Sequence, residues 1–374
     1  MPHMRRDERR DLKRLLAFGE DIQMLAPRRI GKTWLMRKIM EDLDAEGWQC
    51  FFVDAEGMSS EEQFLHELCR KIEARQDLAK RAGAHLWQRI NQFLGGSGEG
   101  GTLLQALGKL DPRRFAEALI EALDSSGNKT VILVDEISLF VLALAGKDGE
   151  ATKTFLYHLR KLRQEYKHVQ WLMTGSIGLD VVARRLDLQG AQVDMTNFPL
   201  APFDDAAARS YLASPSLPTP LIFEDDAFAH LAGEIGWLAP FYLKLVADRI
   251  RPTGKRGNRA VVTVADAKNA LDEVLQPAFR DRFATWGEHI RKNFPRDETA
   301  VLIVILDRLC TAADGETETT LLTLVATSHP SASRRTVKDL LVALQSDGLL
   351  GRAGDRWIFR SGLIRRYWQD YEQQ

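Results

Sequence analysis

Cysteine is scarce: Cys50, Cys69 and Cys310 are the only three, far apart and without a Cys-x-x-Cys pair. That excludes a disulfide framework and a cysteine zinc site, leaving reduced structural thiols. The eight histidines are dispersed as well, so no histidine metal cluster is legible. Long apolar runs are missing. The longest, Thr130–Val134 and Ala300–Leu306, fall far short of the roughly 20 residues that a membrane helix needs. Excess charge of one sign is missing too. With 51 Lys and Arg against 52 Asp and Glu the formal net charge is −1, which removes any global case for nucleic-acid binding. Basic clusters are local: Arg5 to Arg14, Arg251 to Arg259, and several positions after Ser333. The opening MPHMRRDERRDLKRLL is charged rather than apolar, so the expectation is a cytoplasmic protein with no membrane association.

What is present is an ordinary globular composition, 45% hydrophobic and 28% charged, over 374 residues, enough for two or three domains. As far as residue 203, helix and strand signals alternate, the pattern of an α/β fold with a parallel sheet covered by helices. Helices are expected over Thr33–Asp44, Ser59–Arg75, Arg113–Asp124 and Ala151–Lys167, with strands at Gly47–Asp54, Thr130–Asp135 and His168–Thr174. Gly95–Gly101 reads as a loop, because no strand precedes it. From residue 204 the strand signal fades. Asp204–Leu212, Asp225–Gly233, Pro240–Ile250 and Val264–Leu275 read as a helical module ending near residue 293. From residue 294, three helices (Glu298–Thr311, Thr319–Thr327, Ser333–Ser346) precede two short apolar runs around a turn, Gly348–Phe359, which is the pattern of a winged helix. The expected division is 1–203, 204–293 and 294–374.

The most informative stretch is Ala26-Pro27-Arg28-Arg29-Ile30-Gly31-Lys32-Thr33-Trp34, lying between a short apolar run and a helical pattern. It fits a phosphate loop with Ala26 replacing the first glycine, a position that needs only a small side chain. Successive backbone N–H groups there would curl into an anion nest, reinforced by the positive end of the following helix. Gly31 would let the backbone approach the phosphates, Lys32 would span the β- and γ-phosphates, and the Thr33 hydroxyl would ligate Mg²⁺. A second motif, Thr130–Glu136, is a β-branched strand ending in two carboxylates at the sheet edge where ligands of parallel sheets sit. Asp135 is suited to hold Mg²⁺ through water and Glu136 to orient or deprotonate an attacking water. A third, Thr174-Gly175-Ser176-Ile177-Gly178-Leu179, closes a strand, so that Thr174 or Ser176 would lie close to the γ-phosphate. A plain glycine-rich strand exit is the other reading of that segment. No Asn-Lys-x-Asp guanine-selecting motif occurs, which favours ATP.

The trio APRRIGKT, VILVDE and TGSIGL resembles the archaeal-type ATPases of the STAND class, relatives of AAA+ ATPases that include origin-recognition proteins. The resemblance extends over nearly the whole chain, since that group also carries a helical lid and a C-terminal winged helix. It implies ATP and Mg²⁺ as cofactors, and a Gly-x-Pro element of the lid near the nucleotide. The nearest match is Gly236–Tyr242, with extra residues before Pro240. It further implies an arginine acting from a neighbouring subunit, for which Arg184 and Arg185 fall in the right segment and Arg160 and Arg163 are weaker candidates. A solvated helix face is the plainer reading of all four.

In the expected winged helix, Arg334, Arg335 and Lys338 occupy the first turns of the recognition helix, and Arg352 and Arg356 flank the wing turn. Trp357, Phe359, Tyr367 and Trp368 read as core residues rather than base-stacking groups. Two readings of the whole follow. One is an ATP-dependent switch coupling nucleotide state to self-association or a protein partner. The other is a factor that uses ATP to assemble on duplex DNA. A small-molecule kinase is disfavoured by the winged-helix pattern.

Overall fold

The computed structural model describes residues 5–74, 103, 107, 111–175, 194–215, 217, 219–256, 259–279 and 281–373. They form two compact units. One comprises Arg5–Ala26 with Lys32–Leu200; the other comprises Pro27–Gly31 with Ala201–Gln374.

The first unit runs α1 (Arg6–Ala17), β1 (Ile22–Leu25), α2 (Lys32–Ala45), β2 (Gln49–Asp54), α3 (Glu61–Ala74), α4 (Pro112–Asp124), β3 (Thr130–Asp135), α5 (Ile137–Ala145), α6 (Gly149–Glu165), β4 (Val169–Gly175) and β5 (Thr196–Pro199). Its five strands form one sheet in the order β2-β3-β4-β1-β5, every pairing parallel. β3 and β4 are buried along their whole length, as inner strands of a parallel sheet covered by helices are. β1, shortest of the inner strands, is flanked by β4 and β5, so its C-terminal end opens at the edge where the chain reverses direction across the sheet.

Helix ends follow local chemistry. Asp111 and Asp148 cap α4 and α6, each accepting two backbone N–H groups through its side chain. Ahead of α3, the Ser60 hydroxyl accepts from Gln63 N–H and the Gln63 amide oxygen accepts from Ser59 N–H, a reciprocal cap. An aromatic cluster of Phe64, Phe140 and Phe155, with ring centroids 5.5 to 6.2 Å apart, joins α3, α5 and α6.

The second unit runs α7 (Asp205–Leu212), α8 (Asp225–Ile235), α9 (Pro240–Ala247), β6 (Gly254–Arg256), β7 (Arg259–Val261), α10 (Val264–Glu273), α11 (Asp281–Asn293), α12 (Arg296–Thr311), β8 (Glu316–Thr317), α13 (Glu318–Ser328), α14 (Arg334–Asp347), β9 (Leu350–Ala353), β10 (Arg356–Phe359) and α15 (Gly362–Tyr367), closing in a π-helical turn, Trp368–Glu372. β6 and β7 pair antiparallel inside the stretch that reads as a basic cluster, so the helical module carries a short hairpin. Near the C-terminus β8, β10 and β9 form an antiparallel sheet beside α12, α13 and α14. Trp357, Phe359, Tyr367 and Trp368 are all buried. No helix among the described residues is long and apolar enough to cross a membrane.

Candidate functional site

In the first unit, three strand ends carry the candidate residues. Beyond β1, the buried Ala26 offers its carbonyl to the ammonium of Lys32, 2.8 Å away. Lys32 is the first residue of α2 and is itself buried. The next residue, Thr33, donates its hydroxyl to Asp135 Oδ2 at 2.5 Å, joining the start of α2 to the end of β3. Burial pushes the Asp135 carboxyl up to about 6; the Thr33 hydrogen bond opposes that shift and the charge of Glu136 adds to it. Asp135 Oδ1 also accepts from Glu136 N–H at 3.1 Å.

Glu136 leaves β3 in the left-handed region, φ 53°, as the residue before α5. For a side chain with a Cβ, that conformation costs about 1–2 kcal/mol and persists only where the surroundings over-determine it. Here the buried α5 anchors one side, through Ile137, Phe140 and Val141, and β3 the other. Thr174, in register with Met24 of β1, is buried, and its hydroxyl has no hydrogen-bond partner among the described residues. An unsatisfied buried hydroxyl costs about 1–3 kcal/mol.

The middle of the loop belongs to the second unit. Arg29 and Gly31 both take positive φ, 67° and 99°, the turn that lets backbone curl around an anion. Pro240 Cγ lies 3.9 Å from where a Gly31 Cβ would stand. The guanidinium of Arg29 stacks 4.4 Å from the centre of the Phe241 ring and donates to Thr285 Oγ1 at 2.9 Å. Arg28 donates its backbone N–H to the Asp347 carbonyl, 3.2 Å away, and its side chain to Nδ1 of His289. Burial, with Arg28 beside it, holds the His289 imidazole down at about 3, so it is neutral and able to accept that hydrogen bond. Ile30 is buried, while Pro27 and Trp34 are half-buried.

Of the other sequence candidates, Ser176, Arg184 and Arg185 lie outside the described residues, as does Gly95–Gly101. Arg163 is buried against Asp194, and Arg160 lies 3.6 Å from the same carboxylate. Arg163 therefore belongs to an interior ion network and is not available to a neighbouring molecule. In the C-terminal region Arg334 and Arg335 are exposed. Lys338 and Arg352 both pair with Glu318, at 3.1 and 3.2 Å, and Arg352 also stacks 3.7 Å from the centre of the Trp357 ring. Arg356 donates to the Gly315 carbonyl at 2.9 Å. His289, Thr285 and Asp347 carried no local signal, whereas Phe241 lies inside the Gly236–Tyr242 match to the lid element. For the first three the only hint was the loop's own Arg-Arg pair, which needs acceptors once half-buried.

The family model for an AAA domain matches residues 24–182. None of the curated proteins matches the chain. Among solved structures, the chain is similar to the Walker-type ATPase PABY2304 of Pyrococcus abyssi, with 15% identity and a TM-score of 0.63 over 97% of this chain and 95% of that one. It is also similar to the ORC2 protein of Aeropyrum pernix in its ADPNP–ADP complexes, with 13% identity and a TM-score of 0.55 over 98% and 92% of the two chains. At such identities the structures carry the fold, and the domain match carries the nucleotide chemistry. Residues 24–182 thus form an AAA domain, the P-loop domain of an ATPase, and the chain shares the fold of these solved structures.

Proposed function

We propose that this ATPase is a slow cytoplasmic molecular switch, in which bound ATP promotes self-association or binding of a protein partner. The observation behind this reading is the hydrogen bond from Thr33 to Asp135, which brings the phosphate loop and the acidic strand end together beside the orphan hydroxyl of Thr174. In this reading residues 1–203 form the ATPase core, 204–293 a lid and 294–374 a winged helix. Ala26 to Trp34 wrap the phosphates, Lys32 spans the β- and γ-oxygens, and Pro240 borders the loop from the lid. The Thr33 hydroxyl and the Asp135 carboxylate are hard oxygen donors at one point, a set that suits Mg²⁺. Bound there, Mg²⁺ would neutralise charge on the phosphate oxygens.

Glu136 then orients and deprotonates the attacking water, and its strained backbone keeps the carboxylate at the strand end rather than folded into α5. Thr174, together with Ser176, senses the γ-phosphate or holds that water, giving the Thr174 hydroxyl its missing partner. Arg185, from a neighbouring copy, would complete the charge stabilisation. The test is ATP binding and turnover by wild type, Lys32→Ala and Glu136→Gln. Lys32→Ala should lose binding. Glu136→Gln should bind ATP as wild type does, yet turn over at least about a hundredfold more slowly. Normal turnover by the Gln variant would remove Glu136 from that role.

A second reading, assembly on duplex DNA, is supported by the exposure of Arg334 and Arg335 in the first turn of α14, just after the Ser333 cap. Lys338, Arg352 and Arg356 contribute less, since each has an internal partner. Arg334→Glu with Arg335→Glu should abolish any duplex binding and reduce its salt dependence. Duplex affinity that survives the double change at moderate salt would rule out this helix as the contact.

A further inference from the structure

We propose that His289 and Asp347 are positioning residues of the nucleotide site, acting through Arg28 to hold the phosphate loop in its binding conformation. The proposal rests on the reading of Ala26 to Thr33 as that loop.

A phosphate cradle depends on backbone curvature, and this one contains two left-handed residues, Arg29 and Gly31. Only Gly31 adopts that conformation without steric cost. Something outside the loop must therefore fix its corner. The structure supplies a closed circuit of polar contacts. Arg28 N–H donates to the Asp347 carbonyl at 3.2 Å, and the Arg28 guanidinium donates to His289 Nδ1. His289 Nε2 stands 3.4 Å from Asp347 Oδ2, so the imidazole accepts on one side and faces the carboxylate with its N–H on the other. Loop backbone, loop side chain, imidazole and carboxylate all return to residue 347.

Burial makes the arrangement demanding, because His289 and Asp347 are 6% and 2% exposed. Arg28 is half-buried beside them, where a guanidinium that loses its buried acceptor is costly, so it stays with its partner. Thr285, one turn before His289 on the same face of α11, takes Arg29 in the same way at 2.9 Å. One helix thus holds both loop arginines, and the end of another holds the loop backbone. Neither His289 nor Asp347 touches the phosphates in this scheme; they set the geometry of residues that do.

A purely structural role would lower stability without selectively weakening nucleotide binding, and two measurements on the full chain separate the cases. The first is Mg-ATP affinity by calorimetry for His289→Leu, Arg28→Ala and the double variant, each checked for its unliganded melting temperature. Each single change should weaken ATP binding about tenfold, the scale of one charge-assisted hydrogen bond. Because His289 acts through Arg28, the double variant should bind no more weakly than the weaker single one. His289→Gln, which keeps an acceptor and a donor, should recover most of the affinity.

The second is Thr285→Val, a half-exposed position that remains informative if His289→Leu does not fold, and it should weaken ATP binding several-fold. Folded His289→Leu or Thr285→Val proteins that bind ATP like wild type, or losses that simply add in the double variant, would overturn the proposal. If instead Lys32→Ala binds ATP as tightly as wild type, the loop reading itself falls, whatever the His289 variants do.

Discussion

Replacing Gly348 by alanine puts a single methyl group where the phosphate loop and the end of α14 meet. Gly348 follows Asp347 with φ 93°, so any residue with a Cβ is strained there, at about 1–2 kcal/mol. The added Cβ would also stand 2.6 Å from Pro27 Cβ and 3.4 Å from the Trp237 ring. Pro27 cannot rotate away, because its ring is closed onto the loop backbone. Relief requires the loop to move, and overpacking of that kind costs about 1–3 kcal/mol. The expected destabilisation is therefore about 2–5 kcal/mol. A built-in control is Gly354, with φ 62° and open space around its missing Cβ, where alanine meets only the backbone strain. Urea unfolding of both variants, followed by tryptophan fluorescence, isolates the clash by difference, about 1–3 kcal/mol. Because the displaced residue is Pro27, ATP affinity should fall in Gly348→Ala and be unchanged in Gly354→Ala. Equal stabilities with unchanged ATP affinity would refute the close packing of loop and helix end.

Two further outcomes are expected from the first unit. Burial raises the Asp21 carboxyl to about 7, against opposing contributions from the Trp171 N–H hydrogen bond and Arg163, so folding favours its protonated form. The corresponding stabilisation is present below about pH 4 and is lost as pH rises through about 7. With no carboxyl to ionise, Asp21→Asn should therefore lose less stability than wild type as pH rises from about 4 to about 8. Its stability profile should also be flatter between about pH 4 and 7. Thermal unfolding across pH checks this, and parallel profiles would contradict it. Phe140→Ala empties a fully buried position between Phe64 and Phe155 and should cost about 3–5 kcal/mol in denaturant titration. A loss below about 1 kcal/mol would mean that α5 is not held by that cluster.

Much of this molecule was legible before its structure, for identifiable reasons. The strand Thr130–Asp135 has the expected limits because a β-branched run bounded by Lys129 and two carboxylates leaves little freedom. Helices such as α4 and α14 begin where a side-chain cap precedes an amphipathic pattern, at Asp111 and Ser333. Other elements hide their period. α5, Ile137–Ala145, is apolar almost throughout, so periodicity cannot distinguish it from a strand. α1 reads as a basic cluster, yet it buries Leu12 and Leu16 while Arg9 pairs with Asp42 on α2. β5 and β8 are too short to announce themselves. In the candidate site the phosphate loop and the acidic strand end were legible because each is a local motif. The partners of Arg28 and Arg29 were not. Thr285, His289 and Asp347 come to the loop from more than two hundred residues away, through packing that no local pattern encodes, and only Phe241 lies in a segment that the resemblance singled out.

The most direct test of the central claim is a single-turnover ATP hydrolysis time course with wild type, Lys32→Ala and Glu136→Gln side by side. The account predicts hydrolysis by wild type, no bound ATP with Lys32→Ala, and ATP bound but uncleaved with Glu136→Gln. Hydrolysis by Lys32→Ala at the wild-type rate would contradict it, since the ammonium beside Ala26 would then have no part in holding the phosphates.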